Sequence, residues 1–140
     1  MRHKSVSAII EIIAGSAALL IGGLIYVLYR ANTLVYSLFS DDFCGIEAAR
    51  TNAVKLPDFI VYSLPGGLWS LAYILLIDGV FIDTSFRFRL GLALIIPAIG
   101  VASELLQGLD VLPGVFEMAD LWCYAVPYLL YFLFVVLKNR

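Results

Sequence analysis

The chain has 140 residues, 62% hydrophobic and 14% charged, with a mean hydropathy of +0.97. A soluble domain is about half apolar and about a quarter charged, so this composition excludes an ordinary water-soluble fold and predicts a single all-α membrane domain over residues 1–140. The formal net charge of −2 and the lack of a basic run exclude nucleic acid as a partner. The lipid bilayer is the partner that composition implies.

Four apolar segments approach the ~20 residues that a ~30 Å hydrocarbon core requires. The first covers about 7–30. Its start, MRHKSVSAII, with Ala14-Gly15-Ser16-Ala17 beyond, is similar to a secretory leader. However, the apolar run continues to Leu28, past the ~7–15 residues of a leader core, and is read as a span. Glu11 is expected to reach water near the membrane surface. Ala14, Ala18 and Gly22 fall at i, i+4 and i+8. Such a stripe lets helices approach closely, within the bundle or in a homo-oligomer.

Residues 31–55 carry no long apolar run. NTLVYSLF can lie in the interface, and IEAARTNAVK reads as a short external helix. The second span contains Pro65-Gly66-Gly67. Proline lacks a backbone donor and suits a helix start, so the span is placed at 65–81, with Ser63 as its cap. Residues 55–62 then form a separate, partly buried external helix. The third span covers 90–109 and the fourth 121–137. Leu64-Pro65-Gly66 before Trp69 is echoed by Leu112-Pro113-Gly114 before Trp122, and tryptophan favours a membrane interface.

Lysine and arginine set the orientation. Arg2, Lys4, Arg87, Arg89, Lys138 and Arg140 fall on one side, and Arg30, Arg50 and Lys55 on the other. Both termini are therefore expected in the cytoplasm. Asp41, Asp42, Glu47, Asp58, Asp110, Glu117 and Asp120 lie outside.

The segment SELLQGLDVLPGVFEMADLW, residues 103–122, concentrates polar groups at that outer face. Glu104 and Gln107 share a helix face. An ionised carboxylate inside a span is costly, so Glu104 must face the bundle, pair with a cation or hold a proton. Arg30 is the nearest candidate cation. Asp120 reads as the N-cap of the last span, Glu117 and Asp110 as solvated charges. Asp78-Gly79 with Asp83 reads as a helix end and turn rather than a metal site. The only histidine is His3, and no motif of a hydrolase, metalloprotease or P-loop is present; no metal or cofactor is expected. Cys44 and Cys123 fall on the same side, where compartment permits a disulfide but spacing does not favour one.

Glu104-x-x-Gln107, Pro113-Gly114, Asp120 and the following span together resemble the VanZ-like family of bacterial membrane proteins. The resemblance covers about residues 55–135. Val115 stands where that family has arginine, Asp58 where it has histidine, and Tyr124 where it has asparagine. IYVLYR and SLPGGLW would be the signature of a divergent branch. The resemblance implies a multi-span protein of the bacterial inner membrane, related to one group associated with low-level teicoplanin resistance.

Three functions follow as expectations, the third a small channel or carrier that would need an oligomer. In one, Glu104, Gln107, Asp120, Arg30 and Tyr124 bind or modify a lipid-linked or amphipathic molecule at the outer leaflet. Glu104 would be the best candidate catalytic acid or base, and catalysis itself stays open. In another, the chain is a non-catalytic membrane subunit whose polar cluster is structural. A wet cavity holding Glu104, Gln107 and Arg30 favours the first; a closed Glu104–Arg30 pair favours the second.

Overall fold

The computed structural model describes residues 2–30 and 53–138. Among them the chain is all α: α1 (Arg2–Tyr29), a π-helical turn (Phe59–Ser63), α2 (Leu64–Val80), α3 (Phe86–Ala93), α4 (Ile95–Gly108) and α5 (Met118–Lys138). Four helical stretches are long and apolar enough to cross a membrane: Ser5–Tyr29, Phe59–Val80, Phe86–Gly108 and Met118–Lys138. The first and last elements bring both ends of the described chain to one end of the bundle, here the terminal end; the opposite is the far end.

Packing centres on α2, which lies against α1, α5 and, more lightly, α3 and α4. In the second span 44% of the most apolar stretch is buried, against 6% in the fourth. Its buried residues are mostly small: Ser63, Pro65, Gly67, Ser70, Ala72 and Gly79. Hydrocarbon gives helices no hydrophobic reason to associate, so close backbone approach must supply the attraction. Large apolar side chains instead point outward, among them Leu20, Leu24, Ile99, Leu130, Phe134 and Leu137.

The small-residue stripe is placed differently from expectation. The buried positions on α1 are Gly15, Ala18 and Gly22, while Ala14 is exposed. A Cβ at Gly15 would lie 3.0 Å from the Ala72 carbonyl, and one at Gly22 only 2.8 Å from the Trp69 indole nitrogen. Ala18 and Gly22 thus face the α1–α2 contact.

The second span begins at Phe59 rather than Pro65. Ser63 has helical dihedrals (φ −94°, ψ −42°) and makes no side-chain cap bond. The turn before Pro65 widens to π geometry, with the Leu64 N–H reaching the Phe59 carbonyl. Such a turn absorbs the break that proline imposes without ending the helix. The Tyr62 carbonyl, just before the proline, accepts Nη2 of Arg30 at 2.8 Å. A donor from another span thereby satisfies a carbonyl that the irregular turn would strand in an apolar medium. The predicted separate helix over 55–62 is not formed: residues 53–57 are irregular and the rest joins the span. The interfacial NTLVYSLF segment and most of IEAARTNAVK lie outside the described residues.

Prolines in the other spans are handled similarly. The third span is interrupted at Leu94, between α3 and α4, just before Pro97. Tyr73 donates to the Leu92 carbonyl at 2.9 Å and Tyr128 to that of Leu90 at 3.2 Å. Pro127 sits inside α5, and Ser70 Oγ donates to the Tyr124 carbonyl at 3.2 Å. Hydroxyls from neighbouring helices take up backbone acceptors beside each irregularity.

The far-end turn after α4 has its own logic. Asp110 N–H bonds the Gln107 carbonyl and Val111 N–H that of Leu106. These are the two bonds of a Schellman cap, which needs a left-handed residue between helix and loop. Asp110 fills that place with φ 57°, and Gly114 follows at φ 144°. Asp110 therefore ends the helix as well as being exposed.

Candidate functional site at the far end

The π-helical turn, the end of α1, the end of α4 and the start of α5 enclose a cavity of about 360 Å³. Arg30, Glu104, Gln107, Asp120 and Tyr124 all line it, so every site residue picked from the sequence reaches one place. Tyr26, Tyr62, Trp69, Ser103 and Glu117 complete much of the wall.

Glu104 is the most enclosed charged group, 5% exposed. It sits one turn below the end of α4. One carboxylate oxygen, Oε2, accepts the Glu117 N–H at a long 3.4 Å. The loop thus reaches Glu104 through the Glu117 backbone, while the Glu117 residue itself stays exposed, as expected. Gln107 supports that fold: a Cβ at Gly114 would fall 2.7 Å from the Gln107 amide carbon. Only glycine has both the φ and the space to cross there.

Asp120 is not the helix cap. α5 starts at Met118, placing Asp120 in its first turn, where a negative charge suits the helix dipole. Its Oδ1 is enclosed and has no hydrogen-bond partner. The sequence pattern of an acid before an apolar run suits a cap or a first-turn residue equally, and the preceding loop decided between them.

Arg30 does not pair with Glu104. Its guanidinium lies 5.2 Å from the Tyr26 ring centre and 5.2 Å from that of Tyr62, besides bonding the Tyr62 carbonyl. Tyr26 in turn packs on Trp69, with ring centres 5.2 Å apart. Cation–π contacts help to hold the charge at the wall of the cavity. The aromatic wall was missed because each residue reads singly as an interface anchor. IYVLYR and SLPGGLW contain Tyr26, Arg30 and Trp69, and were the available signal.

Tyr124 enters between two glycines. A Cβ at Gly66 would lie 2.9 Å from its hydroxyl oxygen. A Cβ at Gly100 would collide with the ring itself. Pro65-Gly66-Gly67 therefore works as a close-approach surface for α5, with Gly67 against Cys123. Cys123 is a free thiol in this packing; Cys44 lies outside the described residues.

A second polar group occupies the terminal end, around a cavity of about 410 Å³. Asp78 Oδ1 accepts Nη1 of Arg89 at 2.5 Å and the Tyr131 hydroxyl at 2.5 Å. Glu11 lines the same cavity and accepts Ser7 Oγ at 2.9 Å, but its Oε2 is enclosed and unpartnered. Glu11 is half-buried here, not simply turned to water. Each span contributes to this cluster, which ties the bundle together. α2 ends at Val80, as the Asp78-Gly79 reading expected, though Asp78 is an ion-pair partner as well. Among the described residues no His, Cys, Asp or Glu trio is arranged to hold a metal ion.

Comparison of the chain with protein-family models, with curated proteins and with solved structures gives no match.

Proposed function

We propose that the chain is a multi-span protein of a bacterial inner membrane that binds a lipid-linked or amphipathic molecule in the far-end cavity. The observation that carries this reading is the state of Glu104: nearly enclosed, inside a span, facing open volume and not joined to Arg30. A carboxylate kept only to lock helices would be matched to its cation, because a buried unpaired charge is costly. Here the cation and the acid sit on the wall of one cavity, each held by other groups.

The VanZ-like resemblance supports the same reading, since Glu104, Gln107 and Asp120 carry it and share the cavity. The distribution of lysine and arginine supports placing that cavity at the outer leaflet, with both termini cytoplasmic. Arg30 would meet an anionic part of the molecule. Glu104 would meet a donor, and Tyr124 and Gln107 would orient the rest.

Native mass spectrometry of the purified chain tests this. The wild type is expected to retain a bound amphiphile through detergent exchange. Glu104→Gln is expected to lose it while keeping its helical circular dichroism and elution volume. Equal retention by both, or none by either, refutes the reading.

A further inference from the structure

Resting on that reading for its occupant, we propose that the loop of residues 109–117 is a lid over the far-end cavity, latched to α4 by residues that line the site. The loop leaves α4 at Asp110 and enters α5 through the Glu117 carbonyl, which accepts the Asp120 and Leu121 N–H groups. Both of its ends are therefore fixed to helices. Between them Val115 reaches the cavity wall, and Glu117 lines it next.

The closed position rests on three contacts, all made to the last two turns of α4. Phe116 packs on Gly108, where a Cβ would lie 3.3 Å from its ring. Gly114 crosses Gln107 with no room for a side chain between them. The Glu117 N–H meets Glu104 Oε2 at 3.4 Å. Two of these anchors, Glu104 and Gln107, are also the residues that meet the bound molecule in the reading above. A ligand donor on Glu104 Oε2 competes with the Glu117 N–H, so occupancy and closure act on each other.

Little else holds the loop shut. Residues 109–117 are all exposed. Within the described residues, the backbone of 113–116 makes no hydrogen bond to the bundle. Segments with few buried contacts and solvated backbone are the ones that open locally, far below the cost of global unfolding. Pro113 restricts the middle of the loop, which leaves Asp110, at φ 57°, and Gly114, at φ 144°, as the points where it turns. Its outer surface is apolar, with Val111, Leu112, Val115 and Phe116 exposed. Such a patch marks a contact surface, and beyond the end of a membrane span that surface meets the bilayer interface. The lid therefore opens towards the phase from which an amphiphile arrives.

The lid is locked with Gly108→Cys and Phe116→Cys in the full chain, in a Cys44→Ser, Cys123→Ala, Trp122→Phe background. The two Cβ positions lie 3.5 Å apart, within the ~3.5–4.5 Å that a disulfide spans. Trp69, which lines the cavity, is then the sole tryptophan, and its quenching by acrylamide reads how far the lid opens. The Stern–Volmer slope is expected to be about threefold or more lower in the oxidised protein than after reduction. Phe116→Ala in the same background should raise the slope above that of its parent. Native mass spectrometry follows the co-purified amphiphile, whose loss into fresh detergent should be about tenfold or more slower in the oxidised protein. Equal slopes before and after reduction overturn the lid, and amphiphile retained in that protein leaves the binding reading standing. Should the disulfide fail to form, an unchanged slope in Phe116→Ala overturns the lid instead. A slope that responds to the lock in protein holding no amphiphile upholds the lid and overturns the amphiphile reading.

Discussion

At the residue scale, several polar side chains of the described bundle are explained by a backbone irregularity nearby. Arg30, Ser70, Tyr73 and Tyr128 each donate to a carbonyl beside a proline-bearing stretch. Glu104 and Asp120 have no such assignment. Asp110 is a further special case, a non-glycine residue at φ 57°. Left-handed backbone costs an L-residue about 1–2 kcal/mol, less for aspartate than for a branched side chain. Asp110→Gly should therefore raise stability by up to about 1 kcal/mol, and Asp110→Val should lower it by at least about 1 kcal/mol. Denaturation in mixed micelles of increasing dodecyl sulfate content measures both. Loss of stability in the glycine variant would refute the conformational argument.

At the scale of elements, α2 is the organising helix, and its two ends meet different chemistry. Its start lies against Arg30 and Tyr124, its end against Glu11, Arg89 and Tyr131. The Asp78–Arg89 pair has side chains only 13% and 16% exposed, respectively. Removing one partner of an enclosed pair leaves the other uncompensated, at a cost of about 3 kcal/mol. Asp78→Ala should lose about that much in the same assay, and Asp78→Ala with Arg89→Met should recover most of it. A double variant no more stable than the single one would show that Asp78 acts through Tyr131 instead. The span count and the all-α class were legible in the sequence because apolar length survives any detail of packing. The start of the second span was not. Proline at position 65 reads as a boundary until a donor on another helix is known, and Arg30 is 32 residues from the carbonyl that it satisfies. The stripe on α1 was legible as a packing surface but shifted in register, since Ala14 and Gly15 are equally small and only the partner's position chooses between them.

For the whole molecule, two polar cavities lie at opposite ends of a bundle whose outer surface is hydrocarbon. The candidate site was legible as a residue set, because an acid inside an apolar run has few explanations. Its closed Glu104–Arg30 alternative was excluded only by coordinates, since sequence places both groups at the same depth. The proposed orientation has a direct check in a Cys44→Ser, Cys123→Ala background. A cysteine at exposed Val111 should react with a membrane-impermeant maleimide in intact cells, and one at exposed Thr84 only after lysis. The opposite pattern would invert the topology and move the far-end cavity to the inner leaflet.

The placement of Tyr124 has a consequence in time as well as in space. Its ring lies against Gly66 on α2 and Gly100 on α4, so a half-turn about its own axis sweeps past both helices. A ring flip there is sensitive to how closely the two helices approach. Its rate is therefore a clock for the breathing of the bundle, set at the mouth of the cavity. A molecule entering that cavity wedges the same helices apart or clamps them together, and the clock would run faster or slower accordingly.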